Sequence, residues 1–305
     1  MDNETRKSRP KHRRIRAISI APALVTLGNL LSGFAAIHFA ARPEFMFKNP
    51  TLIHWVPTNL ALACYLVFFA MICDALDGRL ARFARTTSDF GGQLDSLADV
   101  VSFGAAPAFI MIRLVMNVFP SLSGGMVDDT VVGPVAGTVF GRFCWIAGGA
   151  YLACGAMRLA RFNTENVPDE SAHMSFKGLP IPGAGGALIS VVLLNKNVIP
   201  TLDPFLANAS ELFAKIIPWV AIALGLLMVS RVPYVHVVNR FLRGKKPFWM
   251  LVAAVLVVLG FLLWPHMVLT IGLCGYAASG PVVWAVTLGR RRKEGLATDH
   301  TDEHR

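Results

Sequence analysis

Apolar residues run in long blocks through most of this chain, broken by short clusters of Pro, Gly and charge rather than by alternating polar positions. Blocks near the ~20 residues needed to cross a bilayer as a helix recur from Ile18 to Gly289. Taking those clusters as boundaries predicts about eight spanning helices, near 18–41, 57–84, 90–119, 138–161, 180–199, 212–230, 248–264 and 266–288. Only Pro265-His266 separates the last two, which reads as a tight hairpin in preference to one kinked helix. The expectation is an all-α integral membrane protein, with a basic tail at 1–16, a single membrane domain at 17–289 and a polar tail at 290–305. Both tails are polar enough to lack fixed structure. The first apolar segment runs past signal-peptide length without a small-residue cleavage site, so it reads as a retained helix.

Composition supports this. The chain is 54% hydrophobic and only 16% charged, against about a quarter charged in soluble domains, so it has too little polar surface to coat a water-soluble globule. The net charge of +10 would suit nucleic acid, but its placement suits a membrane surface. With the Arg6–Arg16 tail inside, the same side receives Arg79, Arg82 and Arg85, then Arg158, Arg161 and Lys177. It also receives Arg231, Arg240, Arg243, Lys245 and Lys246, and finally Arg290 to Lys293. The opposite loops hold few cations, so both termini are expected in the cytoplasm of a multi-pass cell-membrane protein. Cys64, Cys73, Cys144, Cys154 and Cys274 all lie in apolar segments without a C-x-x-C pair, and read as packing residues, not as disulfide or zinc positions.

Candidate chemistry is concentrated between Cys73 and Gly104. Asp74 and Asp77 are three residues apart and Asp95 and Asp99 four apart, so each pair shares a helix face. Gly78, Ala81 and Arg82 continue the first stripe and Gly91 begins the second, with Thr86, Thr87, Ser88 and Asp89 supplying turn and cap chemistry between them. A helical hairpin with facing stripes would gather four carboxylates in one cytoplasmic pocket. Charges at membrane depth cost on the order of 2.5–3.5 kcal/mol each, so the cluster calls for divalent metal. Oxygen ligands without His or Cys suit Mg²⁺ or Mn²⁺. Gly78 and Gly91 leave room for a bulky ligand, and Arg82 suits a phosphate oxygen. Ion pairing at a helix end and cation transport are the competing explanations. Clustering at one interface argues against transport, because transporter sites lie near the midplane on broken helices.

These residues resemble the signature of the CDP-alcohol phosphatidyltransferases, D-x-x-D-G-x-x-A-R, eight residues, then G-x-x-x-D-x-x-x-D. Every fixed position is matched by Asp74, Asp77, Gly78, Ala81, Arg82, Gly91, Asp95 and Asp99. The resemblance implies that the four aspartates hold two divalent cations and that Asp99 is also the base for the acceptor hydroxyl. It implies CDP contacts at Gly78, Ala81, Arg82, Ser88 and Gly91.

Three further stretches are similar to the phosphatidylserine synthase branch of that family: P-A-L-V-T-L-G-N-L-L-S-G from Pro22, R-L-A-R-F-N from Arg158, and F-K-G-L-P-I-P from Phe176. V-P-Y at Tyr234 adds little. Ala23 stands where the branch usually has Asn, which leaves Thr26 and Asn29 as the nucleotide-contact candidates of the first helix, with polar helix–helix contact as their alternative role. The branch implies CDP-diacylglycerol and L-serine as substrates and a homodimer. Arg158, Arg161 and Lys177 are the candidates for binding the serine carboxylate, since Arg holds a carboxylate through two parallel hydrogen bonds. Sister enzymes using inositol, glycerol phosphate or choline share the signature and remain the alternative, and a divalent cation transporter is the alternative outside the enzymes.

Overall fold

The computed structural model describes residues 20–43, 58–83, 89–119, 132–165, 178–199, 207–232, 234 and 248–302. These residues are almost wholly helical. In chain order the helices are α1 (Ile20–Ala41), α2 (Asn59–Phe83), α3 (Asp89–Asp99), α4 (Ala106–Val118) and α5 (Val139–Glu165). There follow α6 (Ile181–Leu193), α7 (Ala207–Val229), α8 (Phe248–Leu263) and α9 (Pro265–Asp302). Among the described residues, seven spans are long and apolar enough to cross a membrane, with Phe90–Val118 counting as one. The eighth expected span, α8, has 16 residues and is therefore about 24 Å long at ~1.5 Å per residue. Trp264, 69% exposed, separates it from α9, so the last two apolar segments are distinct helices. α9 runs on to Asp302, past the expected boundary at 289, because no Gly-Pro break follows the last apolar residues.

The third span is not the uniform α-helix the apolar pattern suggests. A π-helical turn, Val100–Ala105, joins α3 to α4, and Ala106 N–H bonds back to the Val101 carbonyl, five residues earlier. Pro107 explains the widening. Its ring crowds the carbonyl four residues back and it has no N–H to donate, which strands the Phe103 carbonyl. The hydroxyl of Tyr151, fully buried on α5, donates to that oxygen at 2.8 Å, so the group is satisfied from another helix.

Close approaches then lock the turn from two sides. A Cβ on Gly33 of α1 would lie 2.7 Å from Ser102 Cα, and one on Gly185 of α6 would lie 3.2 Å from the Phe103 backbone. Neighbouring Gly186 and Gly183 let the same helix approach Met71 of α2 and Tyr276 of α9. α6 is thereby the central post of the bundle, and most of its residues are buried. Its entry is pinned by Gly178, whose φ of +94° suits glycine. The Gly178 N–H donates to the Val232 carbonyl at 2.9 Å and that of Leu179 to Leu227 at 3.0 Å.

α1 packs most extensively along α2, and it also touches α3, the π turn and α4. The first helix therefore lies against both aspartate-bearing segments. The five cysteines are free and buried or half-buried, as expected of packing residues.

Gly33→Ala should force α1 away from Ser102. Overpacking of this kind costs about 1–3 kcal/mol, so thermal unfolding of the purified protein in detergent should show a lowered midpoint. An unchanged midpoint would mean that the α1 contact yields without cost.

Candidate active site

Asp74 of α2 and Asp95 and Asp99 of α3 each offer a carboxylate oxygen to one cluster, and these atoms all lie within 4.8 Å of one another. Asp99 is buried and the other two are half-buried. Asp77, 5% exposed, stands beside the group, in electrostatic range of Asp74, Asp95 and Asp99. The structure thus brings the four expected aspartates together, with three converging on one point.

The helical phase of each element sets this arrangement, and α1 fixes its orientation. Asn29, fully buried, donates from Nδ2 to Asp99 Oδ1 at 3.1 Å. Thr26, also buried, donates its hydroxyl to Asp77 Oδ2 at 2.7 Å. The Asn29 carbonyl in turn accepts from Ser102 Oγ at 2.9 Å. Two side chains one turn apart on α1 therefore index one aspartate from each acidic pair. The polar helix–helix role considered for Thr26 and Asn29 is present, and its partners are the site carboxylates.

Magnitudes indicate what the cluster needs. Two carboxylates 4.8 Å apart repel by about 3.5 kcal/mol at an effective dielectric of ~20, and the cluster holds several such pairs. A hydrogen bond to a charged group returns only about 1.5–3 kcal/mol. Arg158 of α5 is in electrostatic range of Asp99 and Asp74, but it supplies one positive charge. Asp95 Oδ1 is buried without a hydrogen-bond partner, as an atom awaiting a ligand would be. An all-oxygen donor set, short of positive charge and carrying an orphaned acceptor, fits a hard divalent cation such as Mg²⁺ or Mn²⁺.

The remaining candidates fall around this centre. A Cβ on Gly78 would meet nothing within 4 Å, so the α2 backbone is open there. Gly91 is half-buried, one turn before Asp95. Ala81 and Arg82 lie on the last turns of α2, with side chains outside the described residues; Ser88 and Lys177 lie wholly outside them. Arg158 and Arg161 are half-buried near the end of α5, and Arg158 Nε has no hydrogen-bond partner. The sequence reading missed Asn163, which donates from Nδ2 to Ser96 Oγ at 3.0 Å and so ties the end of α5 to the face of α3. Its place in R-L-A-R-F-N was the available signal.

Residues 19–227 match the family model for CDP-alcohol phosphatidyltransferase. The chain belongs to the CDP-alcohol phosphatidyltransferase family. It is similar to the CDP-diacylglycerol–serine O-phosphatidyltransferase of Helicobacter pylori strain 26695, at 33% identity over 220 residues, covering 72% of this chain and 73% of the relative. The protein of that name from Methanocaldococcus jannaschii is 34% identical over 175 residues, covering 57% and 64%. That from Bacillus subtilis is 28% identical over 215 residues, covering 70% and 89%. α1 to α6 and most of α7 form the part of this phosphatidyltransferase that matches the family, and α8 and α9 follow it in the chain.

Asp95→Asn keeps the side-chain volume and removes the charge. Titration of Mn²⁺ into the detergent-solubilised protein, followed by electron paramagnetic resonance of the free ion, should show at least tenfold weaker binding than wild type. Equal affinity would remove Asp95 from the metal set.

Proposed function

We propose that this phosphatidyltransferase is a phosphatidylserine synthase, moving the phosphatidyl group of CDP-diacylglycerol to the hydroxyl of L-serine with release of CMP. The observation that carries the reading is the convergence of Asp74, Asp95 and Asp99 in a chain whose curated relatives bear the serine enzyme's name. Those relatives favour serine over inositol, glycerol phosphate or choline as acceptor, and family membership favours group transfer over cation transport.

Asp74, Asp77, Asp95 and Asp99 would hold a pair of Mg²⁺ or Mn²⁺ ions, which when bound supply Lewis acidity toward the donor pyrophosphate. Asp99 accepts the proton of the serine hydroxyl as its oxygen attacks the phosphorus attached to diacylglycerol, and the bond from that phosphorus to CMP breaks. The Asn29 bond holds the Asp99 carboxylate in a fixed orientation, which suits a positioned base. Gly78, Ala81, Arg82, Ser88, Gly91, Thr26 and Asn29 form the CDP side of the site. Thr26 and Asn29 act there at least through the carboxylates they orient. Arg158, Arg161 and Lys177 form the serine side. The cation-rich loops favour a cytoplasmic side for the site and both termini, and the family resemblance supports a homodimer in the cell membrane.

CMP release from CDP-diacylglycerol should depend on serine in a panel that includes inositol, glycerol phosphate and choline. It should stop on exhaustive chelation and return with Mg²⁺ or Mn²⁺. Faster turnover with another acceptor would overturn the serine assignment, and full activity after chelation would overturn the metal assignment. A positioned base contributes about 10²–10⁴-fold, so Asp99→Asn should lower kcat by that order. Less than a tenfold loss would remove Asp99 from the base role.

A further inference from the structure

α9 lies beyond residues 19–227, the part matched to the family, and it carries a proline in its interior, Pro281. Proline has no N–H, so the carbonyl four residues back, on Ala277, loses its intrahelical donor. Tyr234, a buried residue that follows α7 in the chain, donates its hydroxyl to that carbonyl at 2.8 Å. Pro107, the Phe103 carbonyl and the Tyr151 hydroxyl make the same arrangement in the third span, also at 2.8 Å. Gly280 admits the Tyr234 ring, because a Cβ there would overlap it, and the Tyr276 ring lies 5.8 Å away, centroid to centroid.

The segment fastened in this way is also bonded to the entry of α6. The Val232 carbonyl accepts from the Gly178 N–H at 2.9 Å, and the Leu227 carbonyl accepts from the Leu179 N–H at 3.0 Å. A Cβ on Gly178 would lie 2.9 Å from the Ser230 carbonyl oxygen, so the two backbones run flush. From there the packing reaches α5: a Cβ on Gly155 would lie 2.9 Å from Ile181 Cδ1 and 3.8 Å from Met228 Cε. Arg158 stands about one helical turn beyond Gly155, and Lys177 immediately precedes Gly178. Two cations assigned to the acceptor side thus adjoin, along the chain, residues of one bonded and packed path that ends at Tyr234.

We propose that Tyr234 is a positioning residue for the acceptor: by taking the carbonyl that Pro281 strands, its hydroxyl fastens α9 to the entry of α6 and steadies the backbone that carries Arg158 and Lys177. The proposal deepens the serine reading above and rests on its assignment of those cations. Lipid chains are as apolar as the helices they surround, so apolar contact alone gives little orientation to a helix in a membrane. A directional bond to a stranded carbonyl sets one register of α9 against the residues that meet Gly178.

Pro281→Ala restores an N–H at position 281 and so gives the Ala277 carbonyl a donor within α9, which separates fastening from mere satisfaction of a buried group. The full-length enzyme in lipid micelles is assayed for CMP release, with each substrate varied while the other saturates. Tyr234→Phe should lower the thermal midpoint. It should raise the serine KM about fivefold, the scale on which one changed contact alters a ligand site through packed neighbours, and leave the CDP-diacylglycerol KM within about twofold. In the double variant Tyr234→Phe/Pro281→Ala the midpoint should return toward wild type while the serine KM stays raised. Hydrogen exchange at the Gly178 and Leu179 amides should remain faster than in wild type. If Tyr234→Phe alone does not fold, the double variant carries the comparison. A double variant with the wild-type serine KM would show that the hydroxyl only satisfies α9, and the inference fails. It fails equally if Tyr234→Phe keeps the wild-type serine KM, or if both KM values rise together. A wild-type enzyme that does not use serine would instead overturn the underlying functional reading.

Discussion

Carboxylates forced together at the edge of a membrane repel one another, and the rest of the structure is arranged around containing that repulsion. Asp74, Asp95 and Asp99 converge within 4.8 Å, too close for the hydrogen bonds available to offset the charge. A bundle held only by apolar packing would relax by turning these side chains toward water. This one prevents it by laying α1 against both acidic segments, where Thr26 and Asn29 take hold of Asp77 and Asp99. The geometry that makes the cluster costly by itself is also one that suits a hard divalent cation.

Much of this was legible in the sequence. The i, i+3 and i, i+4 spacing of the aspartates was enough to place them on two helix faces, because helical periodicity is a local property that tertiary structure seldom overrides. The long apolar runs sufficed for the membrane class for the same reason. The clamp itself was less legible. Thr26 and Asn29 stood out as polar residues in an apolar helix, but one sequence does not reveal which of two facing segments a given helix will touch. α3 packs against α1 and the π turn, and α2 meets the third span mainly through α4 and that turn. A simple hairpin of two facing stripes therefore leaves out the helix that organises both.

The break between α8 and α9 falls where it was expected, at a proline, which cannot continue the preceding hydrogen-bond ladder. The departures have identifiable causes. The continuation of α9 to Asp302 went unanticipated because polarity was read as lack of structure, although nothing in the local sequence ends the helix. Asn163 was passed over because its partner, Ser96, lies on a helix remote in sequence. Such pairings are written in the fold alone.

The widened turn after Asp99 has a consequence for how the third span can change over time. An α-helix couples every residue to every other by a fixed angle of about 100° per position, so a substrate-facing stripe and a core-facing stripe on one uninterrupted rod must keep a constant phase. The turn at Val100–Ala105 breaks that coupling. Upstream of it, α3 keeps the phase that gathers Asp95 and Asp99 with Asp74. Downstream, α4 is free to adopt the phase that packing requires, and nearly all of it is buried. Pro107, by relieving the helix of one internal bond, lets one continuous span turn one face to the carboxylate cluster and another to the packed core.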